Sequence, residues 1–259
     1  MRLTIENKLK QEIFVSIFQL LKNWSSHINM HFKPDKLYIQ SMDKTHTCLA
    51  EIEIQCKWFS SYDCKNNSKL SLDSSHFAIL MNYALKHDTI EFNFDSDVNN
   101  DKLFISFLNA KEKSGSFDHF FELNLFEVEE DVLSIPIRDY EVDFTINSKK
   151  FSDVLSELNT FGQDLNIKCN ETVVELNASG DSAKLKVNIP IDDLNEYAIA
   201  EGDELNISFS LNNLCKMCCS TKLGATIDVC LSNDFPMVLK YNLGDDSKVA
   251  FYISPNITD

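Results

Sequence analysis

The sequence predicts an α+β protein of two similar halves, each with two helices packed on antiparallel sheets. Three observations carry this expectation. Apolar and polar residues alternate along most of the 259-residue chain, the period-two signature of strands with one buried face. Four segments instead repeat apolar residues at i, i+3, i+4 and i+7, the spacing of a helix with one buried stripe. The order helix, strands, helix, strands fills residues 1–125 and recurs over 140–259, which points to an internal duplication.

The elements follow in chain order. The first helix carries Leu9, Ile13, Phe14, Ile17, Phe18 and Leu21 on one stripe, with Asn7 as its N-cap. Strand-like runs follow near 28–32, 37–42 and 48–56. The second helix follows Asp73 and buries Phe77, Leu80, Met81, Ala84 and Leu85. Thr89 to Asp95 alternates cleanly, and further strands are expected near 102–108 and 117–125. Residues 126–139 are acidic, then apolar, then broken by Pro136, as expected of a linker. Tyr140 to Ile146 alternates again. The third helix follows Ser148 with Phe151, Val154, Leu155, Leu158 and Phe161. Strands are expected near 164–169, 173–178, 184–189 and 204–209; a fourth helix carries Leu211, Leu214, Cys215 and Met217; three strands near 226–232, 236–243 and 249–254 complete the pattern. Leu37 to Asp43 and Val174 to Asp181 hold equivalent places after the first and third helices.

Composition excludes several classes. The chain opens without a secretory apolar segment, and no stretch approaches about 18 uninterrupted apolar residues, so a soluble intracellular protein with no membrane partner is expected. The eight cysteines lie inside strand-like or helix-like runs and read as free thiols. Cys215, Cys218 and Cys219 form a CxxCC cluster, but a zinc site needs four ligands and no second pair exists, so no metal is expected. No Gly-rich phosphate loop, GxSxG elbow or HExxH occurs. Neither catalysis nor a cofactor is expected. The net charge of −16 argues, taken alone, against nucleic acid.

Specific blocks carry more than periodicity does. Lys36 to Leu49 (KLYIQSMDKTHTCL), followed by Phe59, resembles the signature of the proliferating cell nuclear antigen family of DNA sliding clamps. So do Leu133-Ser134-Ile135-Pro136, Asn177-Ala178-Ser179-Gly180-Asp181, Asp234-Phe235-Pro236-Met237-Val238 and Phe251 to Ile257. The five blocks span nearly the whole chain in the family's order. The resemblance implies the clamp fold: an N-terminal domain over 1–125, an interdomain connector over 126–139 and a C-terminal domain over 140–259. Subunits would join head to tail into a closed homotrimeric ring with helices lining the hole.

The resemblance also implies three surfaces. Partner peptides would insert apolar and aromatic anchors at Met42, His46, Leu49, Leu133, Ile135, Pro136, Pro236, Tyr252, Ser254, Pro255 and Ile257. From the residues alone Met42, Leu49 and Ile257 read as core, whereas Leu133 and Ile135 are apolar in an otherwise acidic linker. Edge strands would pair between subunits through Phe121, Leu123, Leu185 and Val187. Duplex DNA would pass near Lys8, Lys10, Lys22, Lys86, Lys149, Lys150, Lys216 and Lys222, which read from the residues alone as scattered surface charge. The four helical segments sum to +4, leaving −20 for the rest of the chain. An acidic exterior around a less acidic hole steers DNA into the channel. Relatives carry basic residues at positions matching Val15, Ser16, Ile79, Asn82, Asp153, Ser156 and Cys219, none basic here, so weak DNA contact is expected.

The implied function is a processivity clamp for DNA replication and repair. It would tether DNA polymerase, a flap endonuclease and a DNA ligase, and be handled by a clamp loader. Its place would be the nucleus, or the replication compartment of a host cell for a viral member. The competing expectation is one subunit of a heteromeric checkpoint clamp or a transcription-associated clamp. Where relatives carry a ubiquitin-acceptor lysine, this chain has Glu171.

Overall fold

The structure is a computed structural model, which describes residues 1–95, 100–110, 117–128 and 131–256. The chain divides into two compact units. Unit 1 comprises Met1–Lys44, Ala50–Leu133 and Leu243–Val249; unit 2 comprises Thr45–Leu49, Ser134–Asn242 and Ala250–Asp259.

The first half contains β1 (Arg2–Ile5), α1 (Lys8–Leu21), β2 (His27–Phe32), β3 (Lys36–Met42), β4 (Cys48–Gln55), β5 (Ser61–Asp63), β6 (Ser68–Asp73), α2 (Ser74–Ala84), β7 (Thr89–Asn93), β8 (Lys102–Leu108) and β9 (His119–Asn124). The second contains β10 (Val142–Asn147), α3 (Ser148–Leu158), β11 (Asp164–Cys169), β12 (Val173–Ser179), β13 (Lys184–Pro190), β14 (Glu196–Ile199), β15 (Leu205–Ser210), α4 (Leu211–Cys218), β16 (Thr226–Leu231), β17 (Met237–Gly244) and β18 (Ser247–Ile253).

Strand order makes the duplication explicit. The first half forms the runs β5-β1-β7-β8-β9 and β4-β3-β2-β6; the second forms β14-β10-β16-β17-β18 and β13-β12-β11-β15. Each strand of the second half therefore takes the place of the strand nine earlier. The helices follow suit, with α1 and α3 after the first strand of each half, and α2 and α4 after β6 and β15. Even the trailing segments correspond: Phe126 bridges Ser71 of β6, and the Asn256 N–H donates to Ser208 O of β15 at 2.8 Å.

Local chemistry explains the helix starts. The side chains of Asn7, Asp73 and Asn147 each accept a backbone N–H three residues on, at 3.1, 2.7 and 3.0 Å. Each satisfies one of the orphan donors of a first turn. Ser148 is the first residue of α3 and not its cap; its hydroxyl donates to Gly224 O at 2.5 Å. Helix α1 is buried almost all round from Ile13 to Leu21, Val15 and Ser16 included, because α2 packs beside it and aromatic rings fill the space beneath. Phe14 lies edge-on to Phe18 at 4.9 Å and to Phe92 at 5.8 Å, and Phe18 meets Phe77 at 4.6 Å. In unit 2, α3 packs on α4, and Phe151, Leu155, Leu158, Leu211, Leu214 and Phe209 are fully buried.

Strands β1, β5, β6 and β14 are additions to the sequence-based expectation. Three of them are only three or four residues long, too short for alternation to register against a polar background. Strand β6 does alternate, with Leu70 and Leu72 buried, but it runs directly into the helix start at Asp73. All eight cysteines are free. Among the described residues no group of three or more His, Cys, Asp and Glu could hold a metal, and no helix is long and apolar enough to cross a membrane.

Candidate functional site

The segment between the halves is held at its two ends by side chains. In unit 1 the Gln40 amide on β3 grips the main chain of Leu133: the Leu133 N–H donates to Oε1 at 2.7 Å and Nε2 donates to the Leu133 carbonyl at 3.0 Å. The same Nε2 reaches the Tyr38 hydroxyl at 3.1 Å, and that hydroxyl donates to Glu51 Oε1 at 3.0 Å. Lys248 Nζ stands 3.5 Å from Glu51 Oε2. Glu51 is only 8% exposed, so its charge needs both partners to remain buried. Burial first, then the Glu51 charge, pushes the Tyr38 phenol well above its usual range, so it stays a donor.

In unit 2 the far end of the segment meets the loop before β17. The Arg138 guanidinium lies 4.9 Å above the Phe235 ring, a cation–π contact. Glu141 fixes that loop, accepting from the Asn233 N–H at 2.9 Å, Asn233 Nδ2 at 2.9 Å and Ser232 Oγ at 2.8 Å. The Asn233 N–H and the Ser232 hydroxyl hold its carboxyl below the usual carboxylate range. Elsewhere in unit 2 the Ser254 N–H donates to Thr47 O at 3.0 Å. This brings the segment after β18 to the Thr45–Leu49 loop, where His46 adopts a left-handed φ of 57°.

Between its tethers the segment exposes apolar surface. Leu133 is 47% exposed, Ile137 is wholly exposed and Ile135 is half-buried. Of the other residues matched to a peptide pocket, Met42, Leu49, Tyr252 and Pro255 are half-buried, while His46, Pro136, Pro236 and Ser254 are exposed. None of the described members, Met42 and Leu49 included, is fully buried. Ile257 lies outside the described residues. Met42 and Leu133 belong to unit 1, the others to unit 2.

The edge strands are the second candidate surface. Strand β9 ends one run and β13 another, and at six and seven residues they are longer than the edge strands β5 and β14. Phe121, Leu123, Leu185 and Val187 are all half-buried. Phe121 leans 5.1 Å from Phe107, and Leu123 pairs opposite Leu103, so these side chains turn toward their own sheet and leave the strand edge open. Phe120, on the other face of β9, is 73% exposed.

The lysines matched to a DNA channel differ in what they do. Lys10 turns inward, with its ammonium 2.8 Å from Asp245 and 2.7 Å from Trp58 O. Lys8 donates to the His87 carbonyl, and Lys149 pairs with Asp153 at 2.8 Å. Lys22 reaches Gln19 Oε1 at 2.9 Å, and Lys86 lies 5.9 Å over the Tyr83 ring. Lys22, Lys86, Lys150, Lys216 and Lys222 have exposed side chains. Exposed apolar residues, Leu9 on α1 with Ile79 and Tyr83 on α2, share the helical surface of unit 1.

Sequence reading assigns no role to Gln40, Tyr38 or Glu51. A polar residue in the middle of an apolar strand is the one signal available for Gln40, and its partner lies 93 residues away.

The chain is built as two copies of one α+β unit, with strands β9 and β13 at sheet edges. The sequence matches the family model described as proliferating cell nuclear antigen, N-terminal domain, over residues 4–132, and that described as proliferating cell nuclear antigen, C-terminal domain, over residues 134–256. Among curated relatives it is 25% identical to "Proliferating cell nuclear antigen" of Chaetomium thermophilum, the match covering 98% of this chain and 99% of that protein. It is 24% identical to "Proliferating cell nuclear antigen 2" of Plasmodium falciparum, with the same coverage. The chain belongs to the proliferating cell nuclear antigen family of sliding clamps, as a divergent member.

Proposed function

We propose that the protein is the subunit of a homotrimeric clamp that encircles duplex DNA and tethers replication and repair enzymes without chemistry of its own. One observation carries this reading, the nine-strand correspondence between the halves. Inside unit 1 the start of β18 lies beside β4: the Gln55 N–H donates to Ser247 Oγ at 2.9 Å and Lys248 faces Glu51. Strands β9 and β13 are the duplicated counterparts of β18 and β4, and each ends its run. A second copy offering β13 to β9 would repeat that arrangement between subunits. Because different strands meet, the contact is heterologous, and such a contact closes into a ring when three copies complete a full turn.

Partner peptides would dock on the connector through its apolar side chains Leu133 and Ile135; Met42, His46, Leu49, Pro136, Pro236, Tyr252, Ser254, Pro255 and Ile257 are the further residues to which the resemblance assigns that role. Aliphatic and aromatic anchors of DNA polymerase, flap endonuclease, ligase and clamp loader would bury there. DNA would meet few free cations, since Lys10 and Lys149 are already paired with carboxylates; topology would then retain the clamp more than affinity. The nucleus, or a viral replication compartment in a host cell, is the corresponding location.

Primer extension on a singly primed circular template tests the reading. With a replicative polymerase and clamp loader, the protein should lengthen products at single-hit polymerase concentration. Unchanged product length, with the ring formed and the loader active on it, would contradict the processivity role.

A further inference from the structure

We infer that Gln40 is the positioning residue of the connector: its side-chain amide holds both main-chain polar groups of Leu133, in an orientation that Tyr38 and Glu51 reinforce. The inference deepens the peptide-docking reading and rests on it only for its functional arm.

The orientation follows from donor and acceptor counting. Ionised Glu51 can only accept, so the Tyr38 hydroxyl spends its hydrogen there, at 3.0 Å. The Tyr38 oxygen can then only accept, and the neighbour at 3.1 Å must be the NH2 end of Gln40. The second hydrogen of that NH2 points to the Leu133 carbonyl at 3.0 Å, which leaves Oε1 facing the Leu133 N–H at 2.7 Å. Both amide hydrogens and the amide oxygen are thus used. A flipped amide would set NH2 against N–H and oxygen against two acceptors.

For Leu133 the amide substitutes for a neighbouring strand. Its main chain is paired at one point although residues 131–140 belong to no strand, and its side chain is turned outward, 47% exposed. A fixed backbone presents that side chain at lower entropic cost on binding. It also leaves strand-like pairing with a bound peptide to the residues after Leu133, so Gln40 sets where that pairing begins.

The test uses the full-length protein with Gln40→Met, which keeps the side chain's length and packing but forms none of these bonds, and Tyr38→Phe, which removes only the acceptor that anchors the amide NH2 within unit 1. The readouts are hydrogen exchange of the Leu133 amide by NMR, calorimetric affinity for a clamp-binding peptide with aliphatic and aromatic anchors, and the melting temperature. Gln40→Met should speed Leu133 exchange and weaken the peptide, each about tenfold, with melting nearly unchanged. Tyr38→Phe should fall between it and the wild type. Unchanged Leu133 exchange in Gln40→Met overturns the inference. So does faster exchange with undiminished peptide affinity. If the wild type itself fails to bind the peptide, the docking reading falls, while the exchange arm still decides whether Gln40 holds Leu133.

Discussion

At the scale of single residues, the proposed docking surface makes a definite demand on Ile135. Ile135 is half-buried beside exposed Pro136, so it can still bury area against a partner. An aliphatic side chain buried on binding contributes about 1.5–3 kcal/mol, so Ile135→Ala should weaken a clamp-binding peptide roughly tenfold per 1.4 kcal/mol lost. Polymerase processivity should fall in parallel while the oligomer persists. Calorimetric titration of both proteins checks this, and equal affinities would place docking elsewhere. Asp73 offers a pH-dependent case. The His76 N–H it accepts holds its carboxyl below the usual range. A lowered folded value means stability that is complete above the ordinary carboxylate range and lost as pH falls through the lowered one. Asp73→Ala should cost about 1 kcal/mol of stability at neutral pH, and the deficit should shrink on acidification; equal melting of both proteins at neutral pH would refute the cap. The capping role of Asn7 is legible in the sequence, since capping acts over three residues; for Asp73 only the helix start after it is. The role of Gln40 is not, because its partner is remote in sequence.

At the scale of elements, legibility followed length. The long alternating strands and all four helices stand near where periodicity puts them, although Leu9 is 67% exposed and Leu85 and Phe161 lie beyond the ends of α2 and α3, whereas β1, β5 and β14 are too short to announce themselves. What periodicity could not tell was which strand ends a sheet; that is set by long-range pairing order. Strand β9 is the test element. Leu123→Asp should yield monomers, because a charge beside the open edge opposes pairing with another copy. Since Leu123 also sits opposite buried Leu103, melting must be recorded with mass. Monomers that melt as the wild type does support the edge role, and an unchanged oligomer contradicts it.

For the whole molecule, charge and duplication act together. The chain carries −16 overall, and lysines on its helices are partly consumed by carboxylates. Binding to linear duplex DNA should therefore be weak, with a log–log salt slope of about 5 or less in magnitude, against the ~10 of a repressor that neutralises many phosphates. Fluorescence anisotropy across a salt series measures it; a steep slope would mean a channel richer in free cations than these helices provide. The net charge read alone points away from DNA; the family resemblance implies DNA, and a sum of +4 over the four helical segments against −20 elsewhere is compatible with it. Ring assembly is the claim on which the others depend. Light scattering coupled to size exclusion, at concentrations on the order of tens of micromolar where a weak homo-oligomer would still form, tests it most directly. A mass of three times the 29.7 kDa chain is expected. A mass of one chain throughout that range would contradict the homotrimer and favour a subunit of a heteromeric clamp.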